Sequence, residues 1–182
     1  MSLIYPTIGT EVIKSPQEMF YQIKAILTRA IVSWVNHMLA YLETNKVITP
    51  TDPLDRPKGK IPVNEGNLLR SAQSVVTSSS VQGLVASFNV GFSAPYAQYI
   101  DQDRLPGSKP PVGALMAWKG LTEAAAEKLA WSIYHRGWDG YEFAEPFYRE
   151  GLRFWRTALE QAFRDKNVKF KWVGQGQIEV PT

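Results

Sequence analysis

Hydrophobic positions in the chain first become periodic near residue 15. Ser15 and Glu18 have the spacing of a capping box around Pro16, in which each side chain satisfies a backbone N–H at a helix start. Apolar residues then recur at the spacing of one helical face: Phe20, Ile23, Leu27, Ala30 or Ile31, Trp34, Met38 and Leu42. The pattern predicts a long helix that ends near Asn45.

The middle of the chain predicts a β-hairpin. Residues 66–70 suit one helical turn, and residues 71–77 and 84–92 suit two strands joined by a turn at residues 78–83. Apolar side chains occupy every second position of the second strand, which predicts one buried face: Leu84, Ala86, Phe88, Val90 and Phe92.

Helices dominate the rest of the chain. We expect a short helix over residues 95–101, helices over residues 112–118 and 122–136, and a last long helix from Pro146. Thr122 is placed to cap the third of these helices and Gly137 to end it. Residues 168–182 suit a hairpin, since Phe170 and Trp172 alternate with lysines before a glycine-containing turn.

These elements predict an α+β fold, in which a small antiparallel sheet packs against the long N-terminal helix and two or three further helices. Residues 1–14 have no period and suit an arm, residues 15–167 one domain, and residues 168–182 a hairpin extension. Residues 46–63 and 103–111 are rich in proline, so we expect two long loops without regular structure.

Composition narrows the functional classes. The 182 residues carry a net charge of only +3, which does not by itself indicate a nucleic-acid-binding protein. The absence of cysteine excludes disulfides, thiolate catalysis and cysteine metal sites. No apolar run reaches a membrane span and no secretory signal is evident, so we expect a soluble protein made in a cytoplasm.

No group of residues predicts catalysis or a cofactor. His37 and His135 lie in helical segments without a paired carboxylate or a second histidine at metal-binding spacing. Asp101 and Asp103 lack the further oxygen ligands of a calcium loop. The serines and glycines form neither a nucleophile elbow nor a phosphate-binding loop, so we expect no enzyme, no cofactor and no metal.

Three groups of residues carry a resemblance to a known family. The first is Gly66, Leu68, Arg70 and Ser71 after a polar loop; the second is Val90, Gly91, Pro95, Tyr96, Ala97 and Asp101. The third combines the tryptophan-bearing helix at Trp118, the alanine-rich helix over residues 124–133, and the aromatic segment 143–147. In this order they resemble the neck and tail-completion proteins of tailed bacteriophages, over residues 64–163. The chain departs from the family where Asp103 replaces a frequent glycine.

The resemblance implies a structural virion protein at the head–tail junction, made in the host cytoplasm. Its partners would be further copies in a ring, other connector, portal-side or tail proteins, and genomic DNA in passing. We expect Arg70 and Asp101 to meet, because the hairpin between them brings its ends together. Gly66 frees the backbone where the loop turns into a helix.

Two groups of residues are candidates for an interface. The two proline-rich loops, the arm and the C-terminal hairpin with Phe170 and Trp172 are expected to contact neighbouring subunits. The alternative function is a nucleic-acid-binding module that uses the cations of these loops: Arg56, Lys58, Lys60, Arg104 and Lys109.

Overall fold

The computed structural model describes residues 7–8, 11–12, 16–48, 57–63, 66–174 and 177–179, and its fold is α+β, as the sequence predicts. The helices of this part of the chain are α1 (Pro16–Asn45), α2 (Asn67–Thr77), α3 (Ala97–Asp101), α4 (Val112–Lys119), α5 (Glu123–Arg136) and α6 (Ala144–Asp165). The long first helix, the capping of α5 by Thr122 and its end at Gly137 are confirmed. Ser15 of the predicted capping box lies outside the described residues.

The strands form four separate two-stranded pairs. In chain order they are β1 (Thr7–Ile8), β2 (Glu11–Val12), β3 (Lys46–Ile48), β4 (Ile61–Val63), β5 (Ser80–Gln82), β6 (Val85–Ser87), β7 (Lys171–Gly174) and β8 (Gln177–Glu179). The pairs β1–β2, β5–β6 and β7–β8 are antiparallel, whereas β3–β4 is parallel. The predicted C-terminal hairpin is confirmed as β7–β8.

The predicted strand over residues 71–77 is wrong, because these residues continue the helix α2. The β-branched Val75, Val76 and Thr77 favour a strand. However, Leu68, Leu69, Ala72 and Val76 are all buried, and their spacing of three and four places them on one helical face. Burial of this face therefore outweighs the local β-propensity.

The prediction that residues 46–63 contain no regular element is also wrong at both ends. Lys46–Ile48 pair in parallel with Ile61–Val63, with Val47 opposite Pro62. Proline is tolerated because each strand of a two-stranded pair has an edge where no N–H is needed. Burial of Ile61 and Pro62 supplies the packing that holds the ladder.

The central hairpin is shorter than predicted and is shifted along the chain. Ser80 pairs with Ser87 and Gln82 with Val85, so residues 83 and 84 alone form the loop. Gly83 has φ +60°, the conformation that a two-residue hairpin loop with glycine in its first position requires.

Contacts divide the chain into two compact units. Unit 1 contains Met1–His37, Ser78–Phe88 and Gly151–Thr182, and unit 2 contains Met38–Thr77 and Asn89–Glu150. Two of the four boundaries fall within α1 and α6, and the other two follow Thr77, the last residue of α2, and Phe88. The predicted domain limits after residues 14 and 167 stay predictions.

In unit 1, the hairpin β5–β6 packs on both long helices through the residue that follows it. The Phe88 ring centroid lies 5.4 Å from that of Trp34 in α1 and 4.9 Å from that of Trp155 in α6. Trp34 is fully buried, and its indole Nε1 donates a hydrogen bond of 2.8 Å to the Gly151 carbonyl oxygen. Around them lie the other buried residues of unit 1: Ile26, Leu27, Ala30, Ile31, Ala158, Leu159, Ala162, Phe163 and Val168.

In unit 2, aromatic side chains make up much of the core. Phe92 lies 4.9 Å from Phe143 and 5.2 Å from Phe147 between ring centroids, and the Trp118 and Trp138 rings meet edge to face at 5.4 Å.

The aromatic residues in the C-terminal half of the sequence, taken over both units, divide between core and surface. Trp138, Tyr141, Phe143, Phe147 and Trp155 are buried, whereas Trp131, Tyr134 and Tyr148 are exposed.

The Trp34 indole generates a stability prediction. Trp34→Phe removes the N–H but keeps a ring, so the buried Gly151 carbonyl is left unsatisfied and the free energy of unfolding should fall by about 1–3 kcal/mol. Val32→Ala, an exposed change on the same helix, should alter it by no more than ~0.5 kcal/mol. Chemical denaturation of both variants measures the difference, and equal effects would contradict the assigned hydrogen bond.

Candidate functional site

The first group of residues that carries the resemblance, which we call the first motif, forms the start of α2. Gly66 has φ +78°, and its carbonyl oxygen accepts the Arg70 backbone N–H at 2.9 Å. The Arg70 guanidinium donates to Asn67 Oδ1 at 2.6 Å, and Ser71 Oγ donates to the Leu68 carbonyl at 2.7 Å. These residues therefore support a helix terminus.

The second motif leads into α3 and is joined to the first. Tyr96 is buried and immediately precedes Ala97, the first residue of α3. Gly91 is half-buried, has φ +154°, and has open space where a Cβ atom would lie. Ser93 Oγ donates to the Ser71 carbonyl oxygen at 3.5 Å, so the two motifs meet within unit 2.

The predicted ion pair between Arg70 and Asp101 is not formed. Arg70 is engaged by Asn67, and Asp101 Oδ1 accepts the Ala144 backbone N–H at 2.8 Å. Ala144 is the first residue of α6, where an acidic group satisfies an N–H that has no partner inside the helix. The motif carboxylate therefore caps a helix that begins more than forty positions later, a role that no local pattern indicates.

Asp101 belongs to a longer run of hydrogen bonds between residues 100–107 and residues 134–144, which we call the seam. Its backbone bonds are Tyr141 N–H to Ile100 O (3.0 Å), Glu142 N–H to Asp101 O (2.9 Å), Arg104 N–H to Trp138 O (2.7 Å), Trp138 N–H to Arg104 O (2.8 Å) and Gly107 N–H to Tyr134 O (2.6 Å). The seam joins the second motif to the aromatic segment of the third.

Glycine is required where the two sides of the seam come closest. A Cβ atom on Gly140 would lie 2.1 Å from the Asp101 carbonyl oxygen and 2.5 Å from the Gln102 carbonyl carbon. Both are backbone atoms, so no rotamer change could relieve the clash. Sequence reasoning missed this residue, because an isolated glycine in an irregular aromatic segment has no distinctive spacing.

A cluster of charges fastens residues 57–60 to the seam. Lys58 Nζ lies 2.6 Å from Glu142 Oε1 and 3.1 Å from Asp103 Oδ1, and the neighbouring Gly59 N–H donates to the Tyr141 carbonyl at 2.7 Å. Glu142 holds φ +50°, a left-handed conformation that is uncommon outside glycine. Sequence reasoning placed Lys58 in an interface and missed Glu142 altogether.

The cluster shifts the protonation of its members. The hydrogen bond to Glu142 raises the pKa of Lys58, against a smaller opposing effect of desolvation and with further help from Asp103. The Gly140 N–H, followed by Lys58, lowers the pKa of Asp103 from its ordinary value of 3.8. Because the pKa of Asp103 is lowered on folding, its carboxylate stabilises the fold at pH values above its ordinary pKa. This stabilisation is lost as the pH falls through the pKa of Asp103 in the folded state.

The other cations of the proposed nucleic-acid surface also have partners. Lys60 Nζ donates to Asn45 Oδ1 at 3.0 Å, and Lys109 forms an ion pair with Glu127. Lys109 also lies 4.5 Å above the Trp131 ring, and the Arg104 guanidinium lies 4.8 Å above the Tyr99 ring. Arg56 lies outside the described residues.

The remaining candidates have packing contacts. His37 stacks on Phe154 with ring centroids 3.5 Å apart, and the exposed His135 lies 5.2 Å from Tyr134. Phe170 packs on Phe163 at 4.8 Å, whereas the Trp172 side chain lies outside the described part of the chain. Within the described residues, no three histidine or acidic side chains come together as metal ligands.

No protein family, curated protein or solved structure matches this chain. None of the helices in the described ranges combines the length and apolarity needed to cross a membrane.

The charge cluster generates a pH prediction. Lys58→Met should raise the pKa of Asp103 toward its ordinary value, but leave it lowered, because the Gly140 N–H still donates to the carboxylate. Carboxyl-carbon NMR during acid titration measures this shift. Lys109→Met is the matched control, since Lys109 pairs with Glu127 instead. If the pKa of Asp103 is the same in Lys58→Met as in the wild-type protein, the assigned interaction between Lys58 and Asp103 is wrong.

Proposed function

We propose that this chain is a structural subunit of the head–tail junction of a tailed bacteriophage, a neck or tail-completion protein that forms a ring. It acts by assembly and carries no catalytic centre. It joins other connector, portal-side or tail proteins in the virion, after synthesis in the host cytoplasm. The order of the three sequence motifs is the first support for this proposal.

The second support for this proposal is that the motif residues have structural roles within the fold. Asp101 caps α6, Gly66 precedes α2, and Tyr96 is buried. An enzyme would direct such residues into a polar cleft, whereas these residues shape a scaffold. Their distribution therefore fits a protein whose surfaces, rather than an internal site, carry the function.

The observation that carries the proposal is the exposure of large apolar side chains in the two proline-rich segments, residues 46–63 and 103–111. Ile48, the last residue of β3, is 85% exposed, and Leu105, in the loop at residues 103–111, is 82% exposed. Large apolar side chains exposed in this way are typical of surfaces that a partner covers. The same two segments are those expected to contact neighbouring subunits.

The nucleic-acid alternative receives less support. Lys58 is held by two carboxylates and Lys109 by one, so neither offers an uncompensated charge to a phosphate. Contact with DNA in passing through a ring requires no such binding. Fluorescence anisotropy with duplex and single-stranded DNA over a range of salt concentrations tests the alternative, because phosphate binding weakens steeply with salt.

The proposal predicts a concentration-dependent ring. Native mass spectrometry should show one closed oligomer larger than a dimer, and negative-stain electron microscopy should show annular particles. Ile48→Lys and Leu105→Lys should each weaken assembly about 10–100-fold, because burying an exposed aliphatic side chain contributes about 1.5–3 kcal/mol.

The matched control is Tyr148→Lys, an exposed apolar residue of α6 that lies outside both segments. It should leave assembly near the wild-type level. A protein that stays monomeric, or that binds DNA strongly and salt-dependently without forming rings, would contradict the proposal.

A further inference from the structure

One segment of the sequence contains no charged residue. Residues 71–100 contain no Asp, Glu, Lys, Arg or His, although charged residues make up 20% of the chain. This segment includes the whole of the hairpin β5–β6. The side chains of Ser80, Gln82 and Ser87 are exposed, Val85 is 65% exposed and Leu84 is 47% exposed.

The hairpin has two open edges. Because residues 83 and 84 alone form the loop, Gln82 and Val85 exchange hydrogen bonds across the hairpin. The next pair, Val81 and Ala86, therefore directs its backbone N–H and C=O groups outward. Within the described residues no third strand pairs with either β5 or β6.

The other strand pairs of this protein differ in one respect. Each contains a charged residue, and one also contains a proline: Glu11 in β2, Lys46 in β3, Pro62 in β4, Lys171 in β7 and Glu179 in β8. Charges and proline at a sheet edge are the usual means by which proteins prevent a further strand from pairing. The hairpin β5–β6 has neither, and it exposes Val85 as well.

We propose that β5–β6 is a strand-addition site whose occupant is the same hairpin of a second copy of this chain. The outer edge of β6 in one copy pairs with the outer edge of β5 in the next. This inference rests on the proposed ring, and it names one contact between successive subunits in addition to those of the two proline-rich segments.

The open backbone edges and the uncharged side chains of the hairpin favour a second copy of the same hairpin as the occupant. An open edge is satisfied by another open strand, and the copy supplies one with equally uncharged side chains, so no unpaired charge is buried. The strands β7 and β8 would instead bring Lys171 or Glu179 against an uncharged surface. Since β5 and β6 present different edges, their pairing is heterologous, which is the kind of contact that closes rings.

Two proline variants test the pairing of unlike edges. Ala86→Pro removes the outward N–H of β6 and leaves the β5 edge usable, whereas Val81→Pro does the reverse. Each variant alone should be monomeric by native mass spectrometry. An equal mixture should form one-to-one heterodimers and nothing larger, because each component keeps one usable edge. This result would support the proposal.

Further outcomes separate this inference from the proposed function. If both proline variants form rings like the wild type, the hairpin contact is wrong and the ring proposal stands. If one variant alone forms homodimers, the pairing of unlike edges is wrong. If the wild-type protein is monomeric at all concentrations, both proposals are wrong.

A charge variant covers the case in which a proline variant fails to fold. Val85→Lys places a charge on the exposed face beside the loop and should reduce assembly at least tenfold. Val32→Lys makes the same change at an exposed position of α1 and should leave assembly unchanged. Circular dichroism and thermal unfolding confirm that both variants are folded. Equal assembly of the two variants would overturn the proposal.

Discussion

The close approach of two backbone segments at Gly140 and Asp101 is the constraint on which most of unit 2 depends. At this point the seam leaves no space for a side chain, since a Cβ atom on Gly140 would lie 2.1 Å from the Asp101 carbonyl oxygen. Because the backbones touch, Asp101 can reach the first N–H of α6 and Asp103 can accept the Gly140 N–H. Lys58 then fastens residues 57–60 to the same place.

Charged residues that suggest a ligand site in the sequence have structural partners in the fold. The two aspartates of the sequence Asp101-Gln102-Asp103 resemble the start of a cation site, yet each accepts a backbone N–H across the seam. Lys58 and Lys109 resemble phosphate ligands, yet each is held by a carboxylate. These polar groups hold loops, whereas the apolar side chains of Ile48 and Leu105 are exposed.

The sequence predicts those elements whose pattern is local. The helices α1, α5 and α6 appear in the spacing of their apolar residues, and Thr122 and Gly137 mark the limits of α5. The helix α2 could have been found by the same criterion, since Leu68, Ala72 and Val76 are four residues apart. The run of Val75, Val76 and Thr77 obscured it, because β-branched residues also suit a strand.

The seam and the parallel pair β3–β4 could not be predicted in this way. Both join backbone segments that are distant in the sequence, and backbone groups leave no trace in side-chain periodicity. The expected partner of Asp101 was Arg70, because opposite charges are visible in a sequence and the N–H of Ala144 is not. Glycines such as Gly137 and Gly140 are a residue-type signal of the seam, but a glycine in a loop has many explanations.

The unfolding of Gly140→Ala tests most directly whether the seam holds unit 2 together. Equilibrium denaturation should show a loss of more than about 2 kcal/mol, since the added methyl group meets backbone atoms that cannot move aside. Gly113→Ala is the matched control, because Gly113 lies in the first turn of α4 with open space around it, and alanine there should leave the free energy of unfolding within ~0.5 kcal/mol of the wild-type value. If Gly140→Ala unfolds within ~0.5 kcal/mol of the wild-type protein, the seam does not have the role assigned to it.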